Sequence, residues 1–347
     1  MKRHFLLLIV LVCSLIDVFA QNKYSVYAIG FYNQENLFDT CHDVGKNDYA
    51  FLPNGSYKWN KLKYTNKLHN MARALSDMGT DILPKVGCAL IGLSEVENAN
   101  VLNDLVAQPA LAKRGYKYIH IEGPDKRGID CALLYNPQLF KPQATKLVQY
   151  VQPLAKDSAF KTRGFLTITG QLAHEKVAVV VCHWPSRFSG SFYREVAAQQ
   201  VKAIKDSLLH LEPTMKVMVM GDMNDDPTSK SMHKVLSAKP EIDEVGADDM
   251  YNPWYNLLAK QGTGTLMYQG AWNLFDQIVL SPNMLNKKGV KDYSTLKFWK
   301  NQIQRFEYLF QTTGKYKGSP KRTTAGGVWL NGYSDHLPVV VYLVKKK

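Results

Sequence analysis

Residues 218–227 read MVMGDMNDDP. An apolar run stops abruptly at Gly221-Asp222-Met223-Asn224, and two more acids, Asp225 and Asp226, stand before Pro227. A short apolar run bounded by Gly, Asn, Asp and Pro is the pattern of a buried strand feeding a turn. Asp222 and Asn224 are alternate residues at its tip, so extended backbone carries their side chains to the same side. Asp225 and Asp226 belong with Pro227 to the turn itself.

The same arrangement recurs along the chain. YAIGFYNQENLF places Asn33 and Glu35 at the end of an apolar run, CALIGLSEVEN places Glu95 and Glu97, and VAVVVCHWPSR ends in His183, Ser186 and Arg187. KRGIDCALLYNP opens with Arg127 and Asp130, WNLFDQIVLS carries Asp276 within its run, and GYSDHLPVVVYL begins with Asp335 and His336. One acid at a strand end is ordinarily a turn or cap residue. Seven such ends, each offering a carboxylate, amide or imidazole, are the pattern of a centre assembled from strand tips.

The residue types narrow the chemistry. Glu and Asp oxygens with Asn amide oxygens suit a hard divalent cation, Mg²⁺ or Mn²⁺. His183 and His336 stand among carboxylates, as acid–base groups do. A charged Asp276 inside an apolar strand is costly unless paired, and His336 would supply the partner. The chain has no GxSxG elbow, no HExxH helix and no phosphate-cradling glycine loop. Hard metal, imidazoles and positioned amides together indicate hydrolysis of a phosphate ester.

Strand-like runs cover 24–32, 86–93, 116–122, 129–135, 165–172, 177–182, 216–220, 274–280 and 337–344. Apolar residues near a 3.6 period predict helices from Leu62 to Met78 and from Phe192 to Leu211, the second stopped by Pro213. Some strands follow one another without a helix, so the sheets are expected to be mixed, with helices on their outer faces. Residues 284–334, rich in Lys, Gly, Ser and Thr, read as long loops. No repeat or linker divides the chain, and one domain over residues 21–347 is expected.

Residues 1–20 read as a signal peptide: Lys2, Arg3 and His4, an uncharged run from Phe5 to Ile16, then Val18-Phe19-Ala20. Cleavage after Ala20 implies an exported protein, periplasmic or secreted. It would leave 41 basic and 29 acidic residues, a net charge of +12. No later stretch has the ~18 apolar residues needed to span a bilayer. The basic balance suits polyanionic partners: nucleic acid, anionic headgroups or phosphorylated sugars. Cys41, Cys88, Cys131 and Cys182 form no CxxC and no disulfide framework, and the last three sit in apolar runs as buried thiols.

The stretches NQENLFD (33–39), GLSEVEN (92–98), RGIDCALLY (127–135), HWPSR (183–187), GDMNDDP (221–227), FDQIVLS (275–281) and GYSDHLPV (332–339) occur in an order that resembles the endonuclease/exonuclease/phosphatase superfamily. The likeness is nearest to bacterial exported members described as nucleases. It implies the DNase I-like α/β fold, a four-layer sandwich of two mixed sheets packed face to face with helices outside. It also implies roles. Glu95 would be the principal metal ligand, with Asn33, Glu35 and Asp335 in the same metal pocket. Asp222 and Asn224 would orient or deprotonate the attacking water and contact phosphate. His336 supported by Asp276, and His183, would be acid–base or phosphate-contacting groups. Arg127 and Arg187 would contact phosphate, and Asp130 would orient His183.

The resulting expectation is a monomeric, metal-dependent nuclease acting on DNA or RNA. The alternative is a phosphatase or phospholipase C-type enzyme of the same superfamily acting on inositol phosphates or sphingomyelin. Phe188, Phe192 and Tyr193 after HWPSR are the residues that hint at a lipid surface. A non-catalytic binding protein on this fold is disfavoured, because every catalytic position carries a competent residue.

Overall fold

The computed structural model describes residues 23–154 and 160–347. The expected signal segment therefore lies outside the described residues. The chain folds into two mixed sheets. The first runs, in spatial order, β14 (Lys297–Ile303), β17 (Val339–Lys346), β1 (Tyr24–Leu37), β2 (Cys88–Val96), β4 (Asp130–Tyr135), β3 (Lys117–His120). The second runs β5 (Phe140–Val148), β6 (Phe165–Leu172), β7 (Glu175–His183), β8 (Lys216–Asp222), β13 (Asp276–Leu280), β10 (Met250–Tyr251), β9 (Ala238–Lys239). Two short hairpins, β11 (Leu266–Tyr268) with β12 (Ala271–Asn273) and β15 (Thr324–Ala325) with β16 (Val328–Trp329), stand apart from both.

Each sheet has a parallel pair at its heart, β1 with β2 and β7 with β8, and the chain between the members of each pair forms a helix. Helix α1 (Lys61–Asp77) links the first pair. Asn60 caps it by accepting from the Lys63 N–H, satisfying one of its free donors. Helix α2 (Ala99–Val106) follows β2, and α3 (Ser191–Leu211) links β7 to β8. The buried face of α3 is Val196, Ala197, Ala198, Val201 and the stem of Lys205; Phe192 and Leu211, expected on that face, are exposed. All seven residues of β8 are buried, which explains its unbroken apolar sequence: a central strand covered on both faces shows no alternation.

The sheets pack face to face along β1, β2, β7 and β8. Gly92 of β2 lies against β8, since a Cβ there would come 2.5 Å from Met220 Sδ. The architecture is the expected DNase I-like sandwich. The segment 284–334 departs from expectation: it contains β14, an edge strand paired to β17, as well as the β15–β16 hairpin. Cys88, Cys131 and Cys182 are buried thiols and Cys41 is an exposed one. Among the described residues no helix is long and apolar enough to cross a membrane.

Candidate active site

Sheet register builds the site. In the parallel β7–β8 pair His183 lies beside Asp222, and in the antiparallel β8–β13 pair Asp276 lies beside Asp222. Three neighbouring strands thus set an imidazole and two carboxylates in one row. Gly221 permits the approach, because a Cβ on it would come 2.3 Å from the Cys182 carbonyl oxygen. The facing sheet supplies Asn33 from β1 and Glu95 from β2. The β1–β2 register slips just after Asn33, and Glu35, Asn36 and Glu95 take left-handed backbone there, with φ of 46°, 56° and 60°. For residues with a Cβ that conformation is strained, and strain of this kind concentrates at functional sites. The irregularity re-aims side chains that a regular strand would point elsewhere.

Asn33 Nδ2 donates to Asp222 Oδ2 at 3.0 Å and to Glu95 Oε1 at 3.3 Å. Its Oδ1 accepts from the Glu35 N–H at 2.8 Å, so the amide's donor end is turned to the carboxylates. Glu95 Oε2 accepts from the Asn36 N–H at 2.9 Å. His183 Nε2 sits 3.8 Å from Glu95 Oε1 and 3.6 Å from Asp222 Oδ2. Asn224 reaches Asp222 through a turn, not through strand alternation: at φ 49° its N–H donates to Asp222 Oδ1 at 2.9 Å. Its Nδ2 is committed to the Trp184 carbonyl at 2.9 Å.

The pairing expected of Asp276 is present, with Oδ2 2.6 Å from His336 Nδ1. The Thr265 hydroxyl donates to the same oxygen at 2.5 Å. His336 is held by Ser334, whose hydroxyl donates to the Asn33 carbonyl at 2.8 Å and accepts from the His336 N–H at 3.1 Å.

The two histidines are electrostatically opposite. Burial pushes the His183 imidazole well below its usual range, helped by the Arg163 and Arg127 guanidinium groups, so it is neutral. Burial would lower His336 too, but the Asp276 and Asp222 carboxylates overcome it and hold the imidazole protonated well above its usual range. Burial pushes the Asp222 carboxyl up to about 6, against the opposing pull of His336.

A cleft of about 450 Å³ opens over this row. Its floor is Glu95, His183, Asp222, Asn224, Asp335 and His336, and its wall carries Lys126, Arg127, Lys161 and Arg163. Arg127 is half exposed there, its Nε 3.7 Å from Asp125 Oδ1. Arg163 is buried, with Nη1 3.0 Å from Asp125 Oδ2 and Nη2 donating to the Trp184 carbonyl at 2.9 Å. Sequence reasoning missed Asp125 and Arg163, whose pairing fixes the cationic wall to the end of β7.

Three expected roles meet other geometry. Asp130 does not reach His183; its Oδ2 lies 3.0 Å from His120 Nε2 and its Oδ1 accepts from the Gly123 N–H. Arg187 is spent on the turn after β8, bonding the Asn224 carbonyl, Asn273 Oδ1 and Asp226 Oδ2 and lying over the Phe275 ring. Glu35 has both oxygens taken, one by Arg322 Nε at 3.0 Å and one by the Thr323 N–H at 2.5 Å. Asp225 and Asp226 serve the turn as expected, tied to Arg194 and Ser231 and to Arg187 and the Leu274 N–H.

A divalent ion fits the remaining donors. Glu95, His183 and Asp222 each offer a ligand atom within 4.8 Å of the others. With His183 neutral, its ring brings no charge to offset the Glu95 carboxylate. A dication would offset it, and two carboxylates with a neutral imidazole are an ordinary donor set for one.

Two packed mixed sheets with a catalytic-type cluster at their strand tips define a DNase I-like α/β sandwich. A family model for the endonuclease/exonuclease/phosphatase family matches residues 28–345, and the chain belongs to that family, whose members act on phosphate esters. Solved structures with the same fold include D. rerio TDP2 complexed with a single-stranded DNA product, at 14% identity and a TM-score of 0.52, covering 92% of this chain and 99% of that one. A mannosyl-6-phosphatase from Bacteroides thetaiotaomicron matches at 14% identity and a TM-score of 0.55, covering 91% and 99%. An endonuclease/exonuclease/phosphatase family protein from Bacteroides thetaiotaomicron matches at 14% and 0.55, covering 93% and 99%. No curated protein matches the sequence significantly.

Proposed function

We propose that the protein is an exported, divalent-metal-dependent phosphodiester hydrolase that cleaves nucleic acid by in-line attack of water. The observation that carries this reading is the cleft: an acid–imidazole floor under a wall of Lys126, Arg127 and Lys161. A polyanion threads such a cleft with its phosphates against the cations. Glu95, Asp222 and His183 would hold the ion, which when bound neutralises charge developing on the phosphoryl group. Asp222 orients the attacking water and accepts its proton. Asn33 holds the Asp222 and Glu95 carboxylates at a fixed separation through its two N–H donors. The His336 imidazolium faces the same oxygens and donates to a phosphoryl or leaving oxygen, while Asp276 keeps the ring oriented. Arg127 supplies a further charge to the phosphate.

A second reading, a phosphatase or phospholipase C-type activity, is favoured by one feature. Phe188 is fully exposed and Phe192 nearly half exposed in the segment that gives Ser186 and Ser189 to the cleft lining, apolar surface that a lipid or an uncharged leaving group could engage.

The discriminating assay offers supercoiled plasmid, RNA, sphingomyelin vesicles and inositol phosphates to the enzyme with Mg²⁺, Mn²⁺ or EDTA, with Glu95→Ala as control. Metal-dependent nicking or RNA cleavage, absent in the variant and falling steeply with salt, is expected. Intact nucleic acid with phosphate or phosphocholine released would replace the first reading with the second.

A further inference from the structure

Beside the metal-type cluster, the structure holds a second pair of converging carboxylates that already has a cation. Arg322 Nε lies 3.0 Å from Glu35 Oε1, and its Nη2 lies 2.9 Å from Asp335 Oδ2. The second Glu35 oxygen accepts from the Thr323 N–H, so the two residues of one short segment saturate that carboxylate. Beneath them Lys67, 1% exposed on α1, donates to Thr323 Oγ1 at 2.6 Å and the Tyr333 carbonyl at 2.5 Å, locking the segment down. Asp335 is at the edge of the cleft that contains Glu95, whereas Glu35 is sealed behind it, 5% exposed. Two carboxylates that share one partner, one of them buried, are costly without positive charge beside them, and Lys67 and Arg322 both supply it to Glu35. A hard divalent ion is the usual answer. Here a guanidinium, with fixed charge and a planar fork that spans two carboxylates, stands in that place.

We propose that Arg322 is a built-in second cation that occupies the Glu35–Asp335 position and holds this site to one divalent ion, at Glu95, Asp222 and His183. Glu35 and Asp335 then act as anchors for Arg322, not as ligands. The guanidinium also brings a permanent positive charge to the cleft edge through Asp335. The inference rests on the metal reading given above, but its test needs no substrate.

Metal-stripped protein is titrated calorimetrically with Mn²⁺, and folding of each variant is checked by circular dichroism. The wild type is expected to bind one ion per chain. Arg322→Ala is expected to bind two, and the second is lost again in Arg322→Ala/Glu35→Gln. Arg322→Lys, which keeps the charge, stays at one. Glu35→Gln alone keeps its single ion, and this variant decides the matter if Arg322→Ala does not fold. Two ions in the wild type, one ion in folded Arg322→Ala, or loss of the ion in Glu35→Gln would each overturn the proposal. A wild type that binds no Mn²⁺ overturns the metal reading itself, which separates the two failures.

Discussion

His336 Nδ1 lies 2.6 Å from Asp276 Oδ2, and Asp276 is wholly buried within β13. The acid has no solvent to stabilise it, so the imidazolium is its partner, and the acid in turn keeps that ring charged. Asp276→Asn preserves shape and removes the charge. It is expected to lower kcat by about 10²–10⁴, the range for a mispositioned acid–base group. The sign of the pH effect follows from the raised His336 pKa. In the wild type the ring keeps its proton through neutral pH, and the pair's stabilisation is lost only as pH rises through that raised value. In the variant the proton leaves at lower pH, so the basic limb of the rate profile moves acidward. An unchanged profile would remove His336 as the proton-bearing group.

Glu95 carries the metal reading. Glu95→Gln keeps the length of the side chain and its bond from the Asn36 N–H while discharging it. Mn²⁺ affinity measured by calorimetry is expected to fall beyond detection together with activity, with an unchanged far-ultraviolet spectrum. Retained tight binding would move the ion elsewhere.

Arg163 holds the cationic wall. Replacing it by Met leaves the buried Asp125 with only the half-exposed Arg127 guanidinium 3.7 Å away, and loss of one partner of a buried pair costs up to about 3–5 kcal/mol. Urea denaturation reads the loss directly. A change below about 1 kcal/mol would mean that the pair is solvated enough to dispense with its partner.

Glu97 gives a pH-dependent stability. Burial pushes its carboxyl up to about 8, and Oε1 has no partner among the described residues. The folded state therefore binds its proton more tightly than the unfolded chain, so stability falls as pH rises between about 4.5 and about 8. Glu97→Gln mimics the protonated form and keeps the acceptor for the Asp39 N–H. Its melting temperature is expected to exceed the wild type's at pH 8 and to match it near pH 5. Parallel curves for the two proteins would count against a buried protonated Glu97.

What the sequence discloses here is what has a local signature. The helix read over 62–78 is found at 61–77, because an amphipathic period and an Asn cap are written in adjacent residues. The Asp276–His336 contact was legible from cost alone, since an acid in an apolar strand must be paired. Of the strands that went unread, the two longest, β5 and β14, are outer edges of their sheets. Both are largely exposed or half-buried, and β5 carries Pro142, so neither shows a continuous apolar run or clean alternation. Arg322 was illegible for a different reason. It lies 287 residues from Glu35 in a stretch without periodicity, and a charge pair across that distance leaves no trace in its neighbours. Asp130 shows the limit of a resemblance: its partner is His120 on the adjacent strand, a local matter of this chain's own hairpin.

The placement of β17 carries a consequence for how activity is gained. This strand, at residues 339–346, sits inside its sheet between β14 and β1, and the turn before it delivers His336. Asn33 and Ser334 are joined across 301 residues, and Asn33 and Asp222 across 189. Closing loops of that span is slow, and no cluster of local contacts can assemble the centre early. On dilution from denaturant, helix signal from α1 and α3 will return first, and hydrolytic competence last, with the docking of β17. Turnover is therefore a clock for completion of the sandwich, and a helix-rich but inactive fraction is a chain in which that strand has not yet found its slot.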